Sequence, residues 1–135
     1  MASAGGVVVA LAALAGPAQA EEDGQFRTPS GNIACLTSGR GVVCEIYDYS
    51  YAPPERPANC HGAYGDVFSA WDGGPGEIRC HHDRPIDPAQ GRVVEYGKTV
   101  QAGSVVCTVT SAYLECVDPF AKHGFHLSRE SYNVY

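Results

Sequence analysis

Six cysteines in a chain of 135 residues constrain the fold more than any other feature of this sequence. Two pairs, Cys35 with Cys44 and Cys107 with Cys116, are each nine positions apart and flanked by β-forming residues. If Gly39-Arg40 forms a two-residue loop, Cys35 and Cys44 face one another as a non-hydrogen-bonded pair. The Cα atoms of such a pair lie about 4.5 Å apart, within the range of a disulfide. The sequence therefore predicts a β-hairpin that is stapled across its two strands.

The same spacing predicts a second stapled hairpin from Val105 to Val117. Its turn near Ser111-Ala112 contains no Gly or Asn, so a tight turn and a four-residue loop both stay open. The two hairpins are either equivalent units or two unrelated β-rich segments. In both, period-two alternation places aliphatic side chains on the cysteine face, which is predicted to face inward. The opposite face of the first hairpin carries Glu45 and Tyr47 among apolar residues, and we expect it to be partly covered.

The two hairpin bridges leave Cys60 and Cys80 to form the third disulfide. A zinc site built from the thiols is the alternative use of these cysteines. No C-x-x-C pair occurs, and nine-position spacings suit hairpin bridges better than zinc ligation. We therefore predict three disulfides, Cys35–Cys44, Cys60–Cys80 and Cys107–Cys116.

Residues 1–20 are predicted to be a secretory signal peptide. The apolar run from Val7 to Ala15 is too short to span a bilayer, and Ala18-Gln19-Ala20 forms a small-x-small cleavage site. No Lys or Arg precedes the run, which is consistent with a true start upstream of Met1. Cleavage leaves a single secreted β-domain of residues 21–135, with no membrane span, in the extracellular space or the cell envelope.

Charge and turn frequency narrow the class of protein further. A net charge of −6 argues against nucleic acid and anionic membranes as partners, and leaves an extracellular protein or a glycan. Short β-rich runs separated by Gly and Pro predict a mostly β fold, a small antiparallel sandwich or barrel of short hairpins. Trp71, the only tryptophan, is interpreted as a core anchor.

The C-terminal segment is predicted to form a short helix. Ser128 is a favourable N-cap, and Glu130 lies where a carboxylate complements the helix dipole. Leu127 and Tyr132 have the spacing of a hydrophobic staple. We expect one or two helical turns that dock Tyr132 on the sheet.

Three alternating tyrosines, Tyr47, Tyr49 and Tyr51, are the candidate ligand-facing residues. If the second strand of the first hairpin continues through them, they line one face. Such a stripe is either an aromatic platform for a sugar or peptide, or ordinary sheet-face packing, which we favour.

The candidate metal ligands are His61, His81 and Asp83, because a Cys60–Cys80 bond draws their segments together. Imidazoles with a carboxylate suit Zn²⁺ or Cu²⁺, but we favour the simpler interpretation of solvated histidines at strand ends. G-x-S-x-G, H-E-x-x-H and a phosphate-binding Gly loop are absent, so the sequence favours neither an enzyme nor a cofactor.

Several separated stretches together resemble a family of small secreted actinobacterial proteins of unknown function. The stretches are Thr28-Pro29-Ser30-Gly31-Asn32-Ile33-Ala34-Cys35, Pro53-Pro54, Tyr96-Gly97, Gly124-Phe125, Leu127-Ser128-Arg129 and Tyr132. The resemblance covers nearly all of the mature chain and implies export and disulfides, but no activity. The chain departs from the family pattern at Tyr51, Tyr64 and His81-His82. We therefore predict a disulfide-stabilised binding or cell-envelope module. The alternative is a hydrolase or metal-binding protein that uses the region of His61 and His81.

Overall fold

The structure, a computed structural model, describes residues 19–20 and 24–135, so most of the predicted signal peptide lies outside the described residues. Within these residues the chain forms twelve strands: β1 (Gln19–Ala20), β2 (Gly24–Arg27), β3 (Ile33–Ser38), β4 (Gly41–Ile46), β5 (Val67–Trp71), β6 (Glu77–Ile78), β7 (Arg92–Val93), β8 (Thr99–Ala102), β9 (Val105–Val109), β10 (Leu114–Asp118), β11 (His123–Leu127) and β12 (Tyr132–Val134). One six-stranded sheet has the order β6-β5-β4-β3-β2-β7, and the other β1-β8-β9-β10-β11-β12. No helix long and apolar enough to cross a membrane occurs in the part of the chain that the structure describes.

The core lies between the two sheets, which stay open rather than closing into a barrel. Phe26, Phe68 and Phe125 are fully buried, and the rings of Phe68 and Phe125 meet across the sheets with centroids 5.7 Å apart. Of the two architectures left open by the sequence, the structure therefore has two packed sheets. The prediction of a mostly β, hairpin-rich fold is confirmed.

Both cysteine hairpins form with the predicted registers. Cys35 faces Cys44 with Cα atoms 4.0 Å apart, and Cys107 faces Cys116 at 3.9 Å. The third disulfide joins Cys60 to Cys80, and these are the three pairings predicted from the hairpin geometry. All four hairpin cysteines are fully buried, which agrees with an inward cysteine face.

The turn of the second hairpin is tight although it lacks Gly and Asn. The amide of Thr110 donates to the carbonyl of Tyr113 at 2.9 Å, which leaves Ser111 and Ala112 as a two-residue loop. Thr110 Oγ1 accepts hydrogen bonds from the amides of Ala112 and Tyr113, so a threonine side chain stabilises the loop. The second hairpin therefore has the same cysteine register as the first.

The equivalence of the hairpins extends to two complete halves of the domain. In the first half one row of paired residues crosses five strands from β2 to β6: Phe26, Cys35, Cys44, Phe68 and Ile78. In the second half the matching row crosses β8 to β12: Val100, Cys107, Cys116, Phe125 and Val134. Strand order, strand direction and disulfide position therefore repeat within one chain.

The strand that precedes each half pairs with the other half. Strand β7 comes before the second half but lies parallel to β2, with Phe26 opposite Arg92. Strand β1 comes before the first half but lies parallel to β8, with Gln19 opposite Val100. The chain thus exchanges edge strands between its two halves, although cleavage after Ala20 would remove β1 and leave only the pairing of β7 with β2 in the secreted form.

The predicted C-terminal helix is wrong, because the segment forms the hairpin β11–β12. The amide of Ser131 donates to Ser128 Oγ at 3.1 Å, which is the contact expected of a helix N-cap. However, the amide of Ser128 also donates to the carbonyl of Ser131 at 2.8 Å and closes a two-residue turn. Leu127 and Tyr132 then face one another across the strands instead of stapling a helix.

Candidate functional site

An open cleft of about 680 Å³ lies at one end of the sandwich. It lies where the loops β2–β3, β9–β10 and β11–β12 meet the segments after β4 and before β8. Hydroxyl, amide and charged side chains predominate in its lining. The lining residues are Thr28, Ser30, Gly31, Asn32, Ile33, Asp48, Tyr96, Thr110, Ser111, Ala112, Tyr113, Leu127, Ser128, Arg129 and Glu130.

The β2–β3 loop forms a rigid wall of this cleft. The amide of Thr28 donates to the carbonyl of Ile33 at 2.9 Å, and Thr28 Oγ1 accepts from the amide of Ile33 at 3.3 Å. Asn32 reaches across to the segment after β4: its Nδ2 donates to the carbonyl of Asp48, and its Oδ1 accepts from the amide of Asp48, both at 2.8 Å. These bonds shape the wall before any ligand arrives.

The C-terminal hairpin turn is fixed to the same wall. The carbonyl of Arg129 accepts the amide of Ser50 at 2.8 Å, and Arg129 Nη2 lies 3.1 Å from Asp48 Oδ2. The two charged side chains are both more than half exposed, so this ion pair is open to solvent and to a ligand. Glu130 adds an exposed carboxylate to the rim.

Two tyrosines provide aromatic surface in the cleft. Tyr96 is 48 % exposed, while Tyr113 is half-buried and packs against the ring of His126 with centroids 4.4 Å apart. The support from His126 holds the ring of Tyr113 in one orientation. The cleft therefore combines flat apolar faces with hydrogen-bonding groups of both kinds.

The three candidate tyrosines lie beside the core and do not share one exposed face. Strand β4 ends at Ile46, so the strand that would have aligned them does not continue. Tyr51 is buried, donates to the carbonyl of Gly65 at 2.6 Å, and stacks with Tyr49 at a centroid distance of 4.4 Å. Tyr47 donates to the carbonyl of Ile86 at 3.0 Å. These contacts explain packing roles, and a ligand-facing role for the three stays a prediction.

The electrostatics of these tyrosines follow from their surroundings. Burial, with a contribution from the charge of Glu45, raises the pKa of Tyr47 to about 12. Burial also raises the pKa of Tyr49 and of Tyr51. All three phenols are therefore neutral hydrogen-bonding groups at neutral pH.

His81 pairs with Asp66 rather than with the other candidate metal ligands. Its Nε2 lies 2.7 Å from Asp66 Oδ1, and its Nδ1 lies 2.8 Å from the backbone carbonyl of Asp83. Both ring nitrogens thus face oxygen acceptors, and neither has a lone pair directed at a free position. His61 is exposed.

Glu45 lies close to this pair and is almost completely buried, at 1 % exposure. Its Oε2 lies 3.8 Å from Arg84 Nε, whereas its Oε1 has no hydrogen-bond partner. Burial raises the pKa of Glu45, and the nearby charge of Arg84 and the amide of Ile86 oppose that rise. The segment from His81 to Ile86 therefore covers a buried carboxylate.

Nothing in this region supports the metal or hydrolase alternative. Among residues 24–135 and the short strand β1, no three or more His, Cys, Asp or Glu side chains are grouped to hold a metal ion. The carboxylates of Asp66, Asp72 and Glu77 each have a different partner. Asp66 contacts His81, Asp72 accepts from Ser104, and Glu77 pairs with Arg79.

Sequence reasoning did not select the cleft, because its residues come from five separate segments. Some of them, including Ser30, Asn32, Tyr96 and Arg129, belong to the stretches that carried the family resemblance. The presence of these residues in the family stretches was the sequence signal that could have pointed to the cleft. Glu45 was assigned to a partly covered face, but its complete burial depends on a segment some forty positions away in the sequence.

Comparison with known proteins gives one match. A family model described as "Family of unknown function (DUF6636)" matches residues 6–135. No curated protein and no solved structure matches the chain.

Proposed function

We propose that this chain, which belongs to the DUF6636 family of unknown function, is a secreted module that binds a short, hydroxyl-rich glycan in the cleft. One observation carries the proposal: the cleft is preformed, and it places the rings of Tyr96 and Tyr113 beside hydroxyl, amide, carboxylate and guanidinium groups. The family assignment itself implies no activity. The ligand class is inferred from the chemistry of the lining.

The mixture of donors and acceptors suits a ligand whose own groups do both. A sugar hydroxyl donates one hydrogen bond and accepts others, so it can pair with Ser30 and Ser111 as well as with the exposed charges of Asp48 and Arg129. The charges of Asp48 and Arg129 compensate one another, and the carboxylate of Glu130 leaves the cleft weakly negative, which favours a neutral ligand over an anionic one. The faces of Tyr96 and Tyr113 complement the apolar face of a sugar ring.

The rigidity of the walls supports a binding role. Hydrogen bonds connect the β2–β3 loop, the segment after β4 and the turn at Arg129 before a ligand is present. A preformed site loses little conformational entropy when it is occupied, so more of the contact energy appears as affinity.

Export is the second part of the proposal. Three disulfides are compatible with an extracellular location, where thiols are oxidised. The predicted signal peptide of residues 1–20 supplies the route. We expect the secreted form to begin at Glu21, which the intact mass of protein from culture medium measures directly.

The binding test uses ¹⁵N-labelled secreted protein titrated with two neutral probes, chitotetraose and maltotetraose. We expect at least one of them to shift the amide signals of residues that line the cleft, such as Ser30, Asn32 and Arg129. Tyr96→Ala should weaken that binding at least about tenfold, because a stacking face is lost. Tyr64→Ala is the matched control, since Tyr64 is also half-buried but lines a different depression.

Two results would contradict the glycan proposal. One is the absence of shifts with both saccharides at millimolar concentration. The other is a set of shifts that maps away from the cleft and does not respond to Tyr96→Ala.

A further inference from the structure

Four turns meet at the end of the sandwich opposite the cleft, and one carboxylate joins three of them. Asp118 Oδ2 accepts the amide of Gly73 at 2.8 Å and lies 2.7 Å from Ser104 Oγ. Asp118 Oδ1 accepts the amides of Phe120 and Ala121 at 3.0 and 3.2 Å. The side chain is buried, at 3 % exposure, and the hydrogen bonds from Ser104 and from the Gly73 amide lower the pKa of Asp118 to about 2.

Asp72 adds the fourth turn to this network. Its Oδ1 accepts the amide of Ser104 at 2.7 Å, and its own amide donates to the carbonyl of Arg40 at 2.9 Å. The turns at Arg40, Asp72, Ser104 and Asp118 are thus held together by backbone and carboxylate hydrogen bonds. The resulting surface, which we call the tip platform, is rigid.

The tip platform carries a protruding aromatic side chain. Phe120 is 89 % exposed. The next most exposed large hydrophobic side chain in the described part of the chain, Tyr96, is 48 % exposed. Its turn closes at Lys122, whose φ of +63° is a left-handed conformation that few non-glycine residues adopt. A fixed turn therefore presents a phenyl ring to solvent, where a polar residue would be expected.

A shallow hollow lies on the same tip platform. It has a volume of about 490 Å³ and is lined by Arg40, Trp71 and Asp72. Because the amides of Gly73 and Phe120 donate to the same carboxylate, the turn that carries Phe120 and the turn that borders the hollow are neighbours on one surface. Trp71, interpreted from the sequence as a core anchor, is instead only partly buried and forms a wall of the hollow.

We propose that the tip platform is a homodimer interface, in which Phe120 of each copy enters the Arg40–Trp71–Asp72 hollow of a second copy. When two copies are related by a two-fold axis, the protruding group of each copy enters the hollow of the other, so the same contact forms twice. The indole of Trp71 and the guanidinium of Arg40 both favour contact with a phenyl ring. The ammonium of Lys122 accompanies the ring and complements the exposed carboxylate of Asp72 in the hollow.

The net charge bears on which surface receives Phe120. A net charge of −6 disfavours an anionic membrane, and it also opposes the association of two copies, so the contact between copies depends on the local pairing of Lys122 with Asp72. The cleft lies at the opposite end, so both clefts of the dimer stay open. Two clefts on one particle also raise the apparent affinity for a repetitive ligand.

The test uses secreted wild-type protein in sedimentation velocity and in tryptophan fluorescence, from about 1 to 500 µM. Trp71 is the only tryptophan, so its emission reports on the hollow without labelling. We expect a concentration-dependent dimer, with an emission shift to shorter wavelength that has the same midpoint. Phe120→Ser should move that midpoint at least about tenfold upward, because the central aromatic anchor is lost.

Controls separate a dimer at this surface from one elsewhere. Tyr96→Ser also removes an exposed aromatic, but at the cleft end, and should leave the midpoint unchanged. Because Phe120 is exposed, Phe120→Ser should keep the melting temperature that the wild type has at concentrations below the dimer midpoint. Three results would each overturn the proposal: a monomer up to 500 µM, a dimer that persists in Phe120→Ser, or a dimer that leaves the Trp71 emission unchanged.

Discussion

His81 is held between two groups that only accept hydrogen bonds, the carbonyl of Asp83 and the carboxylate of Asp66. Both contacts are hydrogen bonds only when the ring carries both protons. Burial by itself would lower the pKa of His81, but the hydrogen bonds to Asp66 and then to the Asp83 carbonyl outweigh it and raise the pKa. The folded structure therefore favours the protonated, positively charged form of His81.

The raised pKa predicts how stability depends on pH. His81 binds its proton more tightly in the folded state, so its stabilisation is complete below the unfolded pKa of about 6.5. It is lost as the pH rises through the higher folded pKa. Urea unfolding from pH 5.5 to 8.5 should therefore show a fall in unfolding free energy that is shallower in His81→Gln. His82→Gln, a change in the exposed neighbouring histidine, should keep the wild-type slope, and equal slopes in all three proteins would refute the charged ring.

Glu45 makes a second prediction, because its buried carboxylate has one oxygen without a hydrogen-bond partner. Its folded pKa is raised, so ionisation opposes folding increasingly as the pH rises above the unfolded pKa of about 4.5. Glu45→Gln keeps the shape and removes the charge. We expect a higher melting temperature than wild type at pH 8 and a much smaller difference near pH 4. A gain of equal size at both pH values would argue against this explanation, and the exposed Glu95→Gln is the control.

At the scale of single elements, the sequence correctly predicted the two cysteine hairpins, whose paired residues are close together in the sequence. The facing cysteines of both hairpins could be predicted from their spacing and from period-two alternation, whereas the two-residue loop could be predicted only for the first hairpin. The C-terminal hairpin could not be predicted, because Ser128 Oγ accepts a hydrogen bond from the Ser131 amide both in a helix N-cap and in this turn. The pairing of Tyr132–Val134 with β11 is local too, but β11 also pairs with β10 outside this hairpin, and that contact favours the strand over the helix.

The three disulfides differ in exposure, and this predicts the order of their reduction. The four cysteines of the hairpins are fully buried, whereas Cys80 is exposed and Cys60 is nearly buried. Thiol exchange requires access to sulfur, so a mild reductant should open Cys60–Cys80 first under native conditions. Alkylation followed by peptide mass analysis should find the label on these two residues alone.

A variant without that bridge provides the control for the reduction experiment. Cys60→Ser with Cys80→Ser should take up no label and should still fold. Loop closure over 20 positions predicts a loss of roughly 3 kcal/mol in unfolding free energy. Labelling of the hairpin cysteines at the same rate as Cys60 and Cys80 would show that the sheets open far more readily than their burial implies.

At the scale of the whole molecule, the repeat of two halves explains why the sequence predicted the strands around the cleft but not the cleft itself. Each half follows from alternation and turn chemistry, but the cleft forms where loops of both halves meet, including Asn32 from the first and Ser111 from the second. The burial of Glu45 and the position of Trp71 depend in the same way on distant segments. Sequence patterns specify strands well, whereas surfaces between loops depend on how the sheets pack.

The pairing of β7 with β2 predicts that the two halves unfold together. Strand β7 lies in the sheet of the first half, and Phe68 of that half packs on Phe125 of the second. Phe125→Ala removes a fully buried ring and should cost about 3–5 kcal/mol. If folding is cooperative, this change in the second half must destabilise the first half equally.

Trp71 lies in the first half, so its fluorescence tests that coupling. In Phe125→Ala, the urea midpoint from Trp71 emission should fall by the same amount as the midpoint from far-UV circular dichroism. Phe68→Ala, the matched change in the first half, should give a shift of similar size by both probes. An unchanged Trp71 midpoint beside a two-step dichroism curve would mean that the halves fold independently and that the pairing of β7 with β2 contributes little.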